Sequence, residues 1–258
     1  MKLSTVVIAR DEAANMAACL ESVAWTDERV VVEHGSSDQT ADIARALGAK
    51  VVQTPDWPGF GIQKNRGLQL ATGDWILSLD ADERVSPELA AELREALRQA
   101  EAAGDRVAFE LPRLTQFCGS WIRHCGWTPD HVLRVFRQGD AAFSPDLVHE
   151  RLVLTGTATR VVRLKNPLLH YSYPTPEHYW RKLQRYSHDW ACQRHAAGQT
   201  TTMTRAALSA VAAFVRSYIF RLGFLDGAMG FAVCTMQAQS AFGKYFELYC
   251  LERQHEKS

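Results

Sequence analysis

The stretch Trp75-Ile76-Leu77-Ser78-Leu79-Asp80-Ala81-Asp82-Glu83 decides the fold. Its short, nearly continuous apolar run suits a strand covered on both faces, and such strands belong to parallel sheets. The run empties directly into acids. Side chains alternate along a strand, so Asp80 and Asp82 are expected on one side at its carboxyl end. Two carboxylates held there repel each other and invite a divalent cation. Hard oxygen ligands suit Mg²⁺ or Mn²⁺, which would in turn bridge a diphosphate. The structural alternative is a pair of acids capping a turn before the next helix.

Upstream of this strand, strand and helix patterns alternate. Residues 3–9 read as a buried strand and 13–23 as a helix with Met16, Leu20 and Val23 on one face. A second strand is expected over 29–32, a helix over 40–47 closed by Gly48, and a third strand over 49–53. A helix over 62–71, ended by Gly73, leads back to the fourth strand. Downstream, Ser86 as N-cap and Pro87 at the first helical position open a long helix to about residue 102. The alternation predicts an open α/β sheet that binds ligands at the carboxyl ends of its strands. Residues 107–169 are strand-rich. From Thr175 the pattern is helical, giving expected domains over 1–174 and 175–258.

The chain has 258 residues, 47% of them hydrophobic and 22% charged, which excludes a disordered or fibrous protein. Twenty-nine basic and 29 acidic residues cancel and remove any whole-chain case for nucleic-acid binding. The cancellation hides an asymmetry: residues 160–258 carry 13 basic and 6 acidic residues, the preceding part 16 and 23. An acidic front suits a cation site and a basic back an anionic surface. The six cysteines lack regular spacing and read as reduced thiols of a cytosolic protein. Cys118, Cys125, His124 and His131 match no ordinary zinc pattern. The N-terminal apolar run stops at Arg10-Asp11-Glu12 and does not read as a signal peptide. The most apolar stretch, 206–220, is broken by Arg216, so the expected protein is soluble or rests on a membrane without crossing it.

A second acid stands at the turn Glu33-His34-Gly35-Ser36-Ser37-Asp38, where small residues let a ligand approach the backbone. Asp38 reads as a helix N-cap. Glu33 has no such structural reading.

The quoted pieces resemble family 2 glycosyltransferases of the GT-A fold. The likeness rests on Val6-Val7-Ile8-Ala9-Arg10-Asp11-Glu12, the segment Val31 to Thr40, Gln63-Lys64-Asn65-Arg66-Gly67, Ala71-Thr72-Gly73-Asp74-Trp75 and Leu79-Asp80-Ala81-Asp82, in that order. Gly126-Trp127-Thr128-Pro129-Asp130, Val148-His149-Glu150-Arg151-Leu152 and Leu168-Leu169-His170-Tyr171-Ser172-Tyr173 extend it to about residue 180 and resemble the lipopolysaccharide-core β-1,4-glucosyltransferase branch. The resemblance implies a mixed open sheet flanked by helices with a C-terminal helical extension. It also implies inverting transfer of a sugar, glucose, from UDP-glucose to a lipid-linked saccharide, an inner-core heptose of lipopolysaccharide.

Carried over by position, Glu12 and Glu33 contact the nucleoside, and Asp80 and Asp82 the ribose and the metal diphosphate. The family usually has Asp at the position of Glu33 and often Asn at that of Asp11. Lys64 is a candidate for offsetting diphosphate charge, or an exposed lysine. An inverting transferase needs a base for the acceptor hydroxyl. Asp130 is the first candidate, with a turn residue after Pro129 as the alternative; Glu150 is the second. His149 is a candidate metal or phosphate ligand.

Arginines around an apolar, aromatic helical body over 205–221 suit a helix lying in a membrane interface, or an ordinary helical subdomain. The lipid-linked acceptor of the resembled family favours an anionic membrane surface and a peripheral, cytoplasmic-face location. Competing classes fare worse. A Rossmann oxidoreductase needs a GxGxxG turn after its first strand, where Ala9-Arg10-Asp11-Glu12-Ala13-Ala14 has no glycine. A haloacid-dehalogenase-like phosphatase needs its DxD on the first strand and Thr or Val where Arg84 stands. A non-catalytic sugar-nucleotide sensor would not need the candidate base.

Overall fold

A computed structural model of the chain describes residues 1–144, 151–155 and 160–255. They form two compact units. The first comprises Met1–Arg113 and Asp130–His170; the second comprises Leu114–Pro129 and Tyr171–Ser258. The segment Leu114–Pro129 therefore belongs with the C-terminal helices, and the division falls at His170 rather than at residue 174.

In the first unit, strands β1 (Leu3–Ala9), β2 (Glu28–Glu33), β3 (Lys50–Gln53) and β4 (Trp75–Asp80) alternate with helices α1 (Ala13–Ser22), α2 (Thr40–Ala46) and α3 (Phe60–Leu70). A short β5 (Glu83–Val85) leads to α4 (Pro87–Ala103). Then follow β6 (Val107–Phe117), β7 (Ser120–Ile122), β8 (Asp130–Arg137), β9 (Ala141–Phe143), β10 (Leu152–Leu154), β11 (Arg160–Arg163) and β12 (Leu168–Tyr173). The sheet order is β3-β2-β1-β4-β8-β6-β12-β5. β1 to β4 are parallel, and β8 runs antiparallel between β4 and β6. This is a mixed α/β sheet flanked by helices, as expected.

The two faces are covered separately. Met16 and Leu20 of α1 and Leu89, Leu93 and Leu97 of α4 pack with Val7, Trp75 and Leu77 on one side. Leu68 of α3 packs with Val6, Val32, Ile76 and Phe136 on the other. Burial on both faces explains the uninterrupted apolar strands. α3 lies so close to β1 that a Cβ on Gly67 would stand 2.4 Å from Val6 Cγ1. Ser86 caps α4 as read, its Oγ accepting from Leu89 N at 3.1 Å. Gly73 is not the cap of α3, which ends at Leu70. A side chain at Gly73 would come within 2.8 Å of the Ser4 backbone nitrogen, so glycine is required by close chain approach.

The strand order reverses around β1: β2 and β3 lie on one side of it and β4 on the other. In open α/β sheets the crevice outside the carboxyl ends at such a switch point is where ligands bind. Here Ile8 pairs with Asp80, so the end of β1 and the acids after β4 meet at that point.

The second unit is built on α5 (Pro176–Ala196), α6 (Met203–Val215) and α7 (Gly227–His255). A wide helical turn, Arg216–Phe220, and a tight one, Gly223–Asp226, join α6 to α7. Phe117, Ile122 and Cys125 pack with Tyr179, Val233, Cys234 and Met236, which explains why Leu114–Pro129 joins the helices. All six cysteines are free. Among the described residues no single helix is long and apolar enough to cross a membrane.

Candidate active site

The loop after β1 is laced to the loop after β2. Asp11 Oδ1 accepts from Ser37 N at 2.7 Å, and Asp11 N donates to Ser36 Oγ at 3.0 Å. Asp11 has φ +54°, a left-handed conformation that Asp and Asn tolerate better than other side chains. That requirement is met equally by the Asn often found at this position in the resembled family. Glu12 N donates to Thr40 Oγ1 at 2.8 Å, and Glu12 Oε2 accepts from Asn15 at 2.8 Å. Asp38 is structural, accepting from Thr40 N and, across the loops, from Ala13 N, both at 3.0 Å.

Glu33 proves to have structural work after all. It is 1% exposed, and its carboxylate accepts from Ser36 N and from Gln53 Nε2. Burial pushes its carboxyl up, but the hydrogen bonds from Ser36 and Gln53 outweigh burial and leave it below the usual range. The turn is therefore folded around a buried carboxylate.

The Gln63-Lys64-Asn65-Arg66-Gly67 stretch resolves into five separate tasks. Gln63 donates to Thr54 at 2.7 Å, Asn65 exchanges two 2.8 Å bonds with the Phe143 backbone, and Arg66 grips Asp56 with two bonds of 2.9 Å. Gly67 lets α3 approach β1. Lys64 is buried, with Nζ 2.9 Å from Asp80 Oδ1 and 5.1 Å from the Phe143 ring centre. The solvated alternative for Lys64 is thereby removed.

Asp80 takes a cation on each oxygen. Lys64 holds Oδ1, and Arg134 Nη2 lies 2.6 Å from Oδ2. The same Nη2 is 2.6 Å from Oε1 of the fully buried Glu83, whose Oε2 accepts from Asp80 N at 3.0 Å. Burial pushes the Asp80 carboxyl up, but Arg134 and Lys64 outweigh it and hold the group well below the ordinary carboxylate range. Burial likewise pushes Arg134 down, and Asp80 and Glu83 reverse this and push it up.

From Glu83 the network continues through Arg113, 3.6 Å away, to Asp130. Arg113 Nε and Nη2 both donate to Asp130 Oδ2, at 2.9 and 2.6 Å. Three cations and three carboxylates thus alternate from Lys64 to Asp130, as burial of charge demands.

β4 ends at Asp80, and Asp82 sits in the following turn, so strand alternation does not govern both acids. Asp82 turns instead to His170, whose Nε2 lies 3.3 Å from its Oδ2. Among the described residues no three His, Cys, Asp or Glu side chains converge as a metal cluster. Asp82 and His170 could supply a carboxylate oxygen and an imidazole nitrogen to a cation that takes its remaining ligands from substrate phosphate and water. The candidates His149 and Glu150 lie outside the described residues.

Residues 4–116 match the model of glycosyl transferase family 2. That part of the chain is similar to family 2 glycosyltransferases. An uncharacterized glycosyltransferase of Rickettsia typhi is 28% identical over 237 residues, covering 89% of this chain and 80% of its own length. The lipopolysaccharide core biosynthesis glycosyltransferase LpsC of Rhizobium meliloti is 28% identical over 262 residues, covering 96% of this chain and 92% of its own length. Among solved structures, S. aureus TarS 1-349 aligns with 99% of the chain and 92% of its own at 16% identity, with a TM-score of 0.47.

Four residues of the candidate site are given no role by the sequence alone: Glu83, Arg113, Arg134 and His170. Glu83 and His170 lie within stretches quoted above, whereas Arg113 and Arg134 lie outside them. What selects them is cross-strand pairing, which a linear pattern does not display.

Proposed function

We propose that this protein is a family 2 glycosyltransferase, an inverting enzyme moving glucose from UDP-glucose to a lipid-linked saccharide, an inner-core heptose of lipopolysaccharide, on the cytoplasmic side of the membrane. The observation that carries the reading is Asp82 paired with His170 beside a cation-clamped Asp80, at the carboxyl end of β4 and next to the switch point of the sheet. The similarity to LpsC over 96% of the chain supports the acceptor class.

In this reading the acceptor hydroxyl oxygen attacks the anomeric carbon from the face opposite the diphosphate. The new glycosidic bond forms, the carbon–oxygen bond to the diphosphate breaks, and UDP leaves. Asp130 takes the hydroxyl proton; both Arg113 bonds fall on Oδ2, which orients the carboxylate and leaves Oδ1 for the hydroxyl. Glu12 borders the nucleoside, while the buried Glu33 holds the turn on which it sits. Asp82 and His170 would hold Mg²⁺ or Mn²⁺, whose chemistry is to neutralise the leaving diphosphate. Lys64 and Arg134 fix Asp80 at the edge of that site.

Incubation with radiolabelled UDP-glucose and a heptose-terminated lipid saccharide tests the reading. Cation-dependent appearance of label in the lipid fraction supports it. Release of phosphate or free glucose without transfer overturns it, and transfer from another nucleotide sugar alone overturns the donor.

A further inference from the structure

We propose that the turn between α6 and α7 is an interfacial wedge that inserts into an anionic lipid bilayer. Within seven residues, Ile219, Phe220, Leu222, Phe224 and Leu225 all stand exposed, Phe220 to 75% and Leu225 to 57%. Folding has left this apolar surface outside rather than merely lacking partners for it at random. Leu222 adopts φ +55°, the left-handed region, at the corner where the two helical segments bend by 73°. The corner thus projects large side chains where glycine or a polar turn residue would ordinarily stand.

The occupant follows from charge. Between Trp190 and Phe246 the sequence holds five basic residues and one acid, Asp226. That acid is turned inward: Oδ1 lies 2.8 Å from His124 Nδ1, and Oδ2 accepts from the backbone nitrogens of Arg123 and His124. The exposed face of the segment therefore presents apolar groups and cations without a carboxylate. Arg216, just before the apolar tip, and Arg221, within it, are exposed and have no ion-pair partner among the described residues. A protein partner of ordinary composition would meet those cations with acids at chosen points. A bilayer of anionic lipid supplies both needs everywhere: phosphate for the arginines and hydrocarbon for the apolar side chains beside them.

Beneath the tip, Tyr218 stacks on Phe214 and meets Phe224 and Phe231 edge-on, so the wedge stands on a fixed aromatic base. An apolar groove of about 440 Å³, lined by Ala210, Phe214, Ala238 and Phe242, runs along the same helix pair and can take an acyl chain. Arg216 and the sharp bend oppose a full crossing, so insertion stops at the interface.

The inference deepens the reading of a lipid-linked acceptor but stands on residues outside the proposed catalytic machinery. Its test is flotation of the full chain with vesicles of phosphatidylethanolamine and phosphatidylglycerol, and separately of phosphatidylcholine. The parent is expected to float with the anionic vesicles, less so as salt rises. Phe220→Ser/Leu225→Ser and Arg216→Glu/Arg221→Glu should each lower partitioning roughly tenfold or more, the second chiefly on anionic vesicles. Both variants should keep the parent's UDP affinity and its transfer to a deacylated, soluble acceptor, which shows that they fold.

Parent-like flotation of both variants overturns the wedge. So does a parent that ignores anionic vesicles, including one that buries this face in a dimer seen by sedimentation velocity. Resistance to alkaline carbonate extraction overturns interfacial insertion in favour of crossing. Transfer without vesicle binding sinks this inference alone; vesicle binding without any sugar transfer sinks the functional reading alone.

Discussion

His170 Nε2 lies 3.3 Å from Asp82 Oδ2, brought there by the antiparallel register that sets His170 opposite Glu83. The pair joins a carboxylate in a turn to an imidazole more than eighty residues away. His170→Ala and Asp82→Ala should each remove the cation-dependent part of UDP binding, by about tenfold or more. Asp80→Asn should retain a response to Mn²⁺, because its oxygens are already held by Lys64 and Arg134. Calorimetry with UDP, with and without Mn²⁺, distinguishes these. A variant of His170 with undiminished cation dependence would remove it from the site.

Asp130 is aimed by Arg113, and this makes the base assignment testable in two ways. Asp130→Asn is expected to keep UDP binding and to lose transfer by roughly 10²–10⁴-fold, the usual worth of a general base. Glu150→Gln should be milder. Arg113→Met, which frees the carboxylate without removing it, should lower kcat more than it raises the donor KM. The reverse ranking of Asp130 and Glu150 in single-turnover assays would move the base to Glu150.

The sequence announces local features well and cross-strand ones poorly. Buried strands, the Ser86-Pro87 cap and the acids after β4 are properties of neighbours along the chain, and their reading needs no tertiary knowledge. Glu33 and Lys64 both stand out in the sequence, but their burial does not, since a charged side chain is buried only where a partner meets it. Those partners, Gln53 for Glu33 and Asp80 for Lys64, stand on other elements. Arg134 is the plainest case: it sits in a strand read for its neighbour Asp130, while its function depends on Asp80 and Glu83 across the sheet. The assignment of Leu114–Pro129 to the helical unit has the same origin, in contacts with Val233 and Met236 far along the chain.

Gly67→Ala tests whether α3 is as tightly docked as its geometry requires. The added Cβ would stand 2.4 Å from Val6 Cγ1 and 3.2 Å from Val32 Cγ2, both branched side chains of buried strands. Overpacking of this kind costs about 1–3 kcal/mol. Because α3 also carries Lys64, a shift of the helix should weaken UDP binding as well as lower the denaturant midpoint. Loss of stability with unchanged UDP affinity would show that α3 moves without disturbing the strand end.

The clamp on Asp80 also fixes how stability depends on pH. A carboxyl held lower in the folded chain than in the unfolded one binds fewer protons when folded, so its contribution is fully present above the unfolded value, about 4. It is lost as pH falls toward the depressed folded value. Asp80→Asn should therefore be less stable than the parent at neutral pH. The difference should fall somewhat below the roughly 3–5 kcal/mol of a fully buried broken pair, since the Asp80 side chain is 31% exposed and Arg134 keeps Glu83. As the medium is acidified below pH about 4, the parent loses this contribution and the variant has none to lose, so their unfolding curves should converge. Urea unfolding of both proteins across that range measures it. A gap that stays constant into acid would mean that the loss in the variant comes from packing and not from the charge held by Lys64 and Arg134.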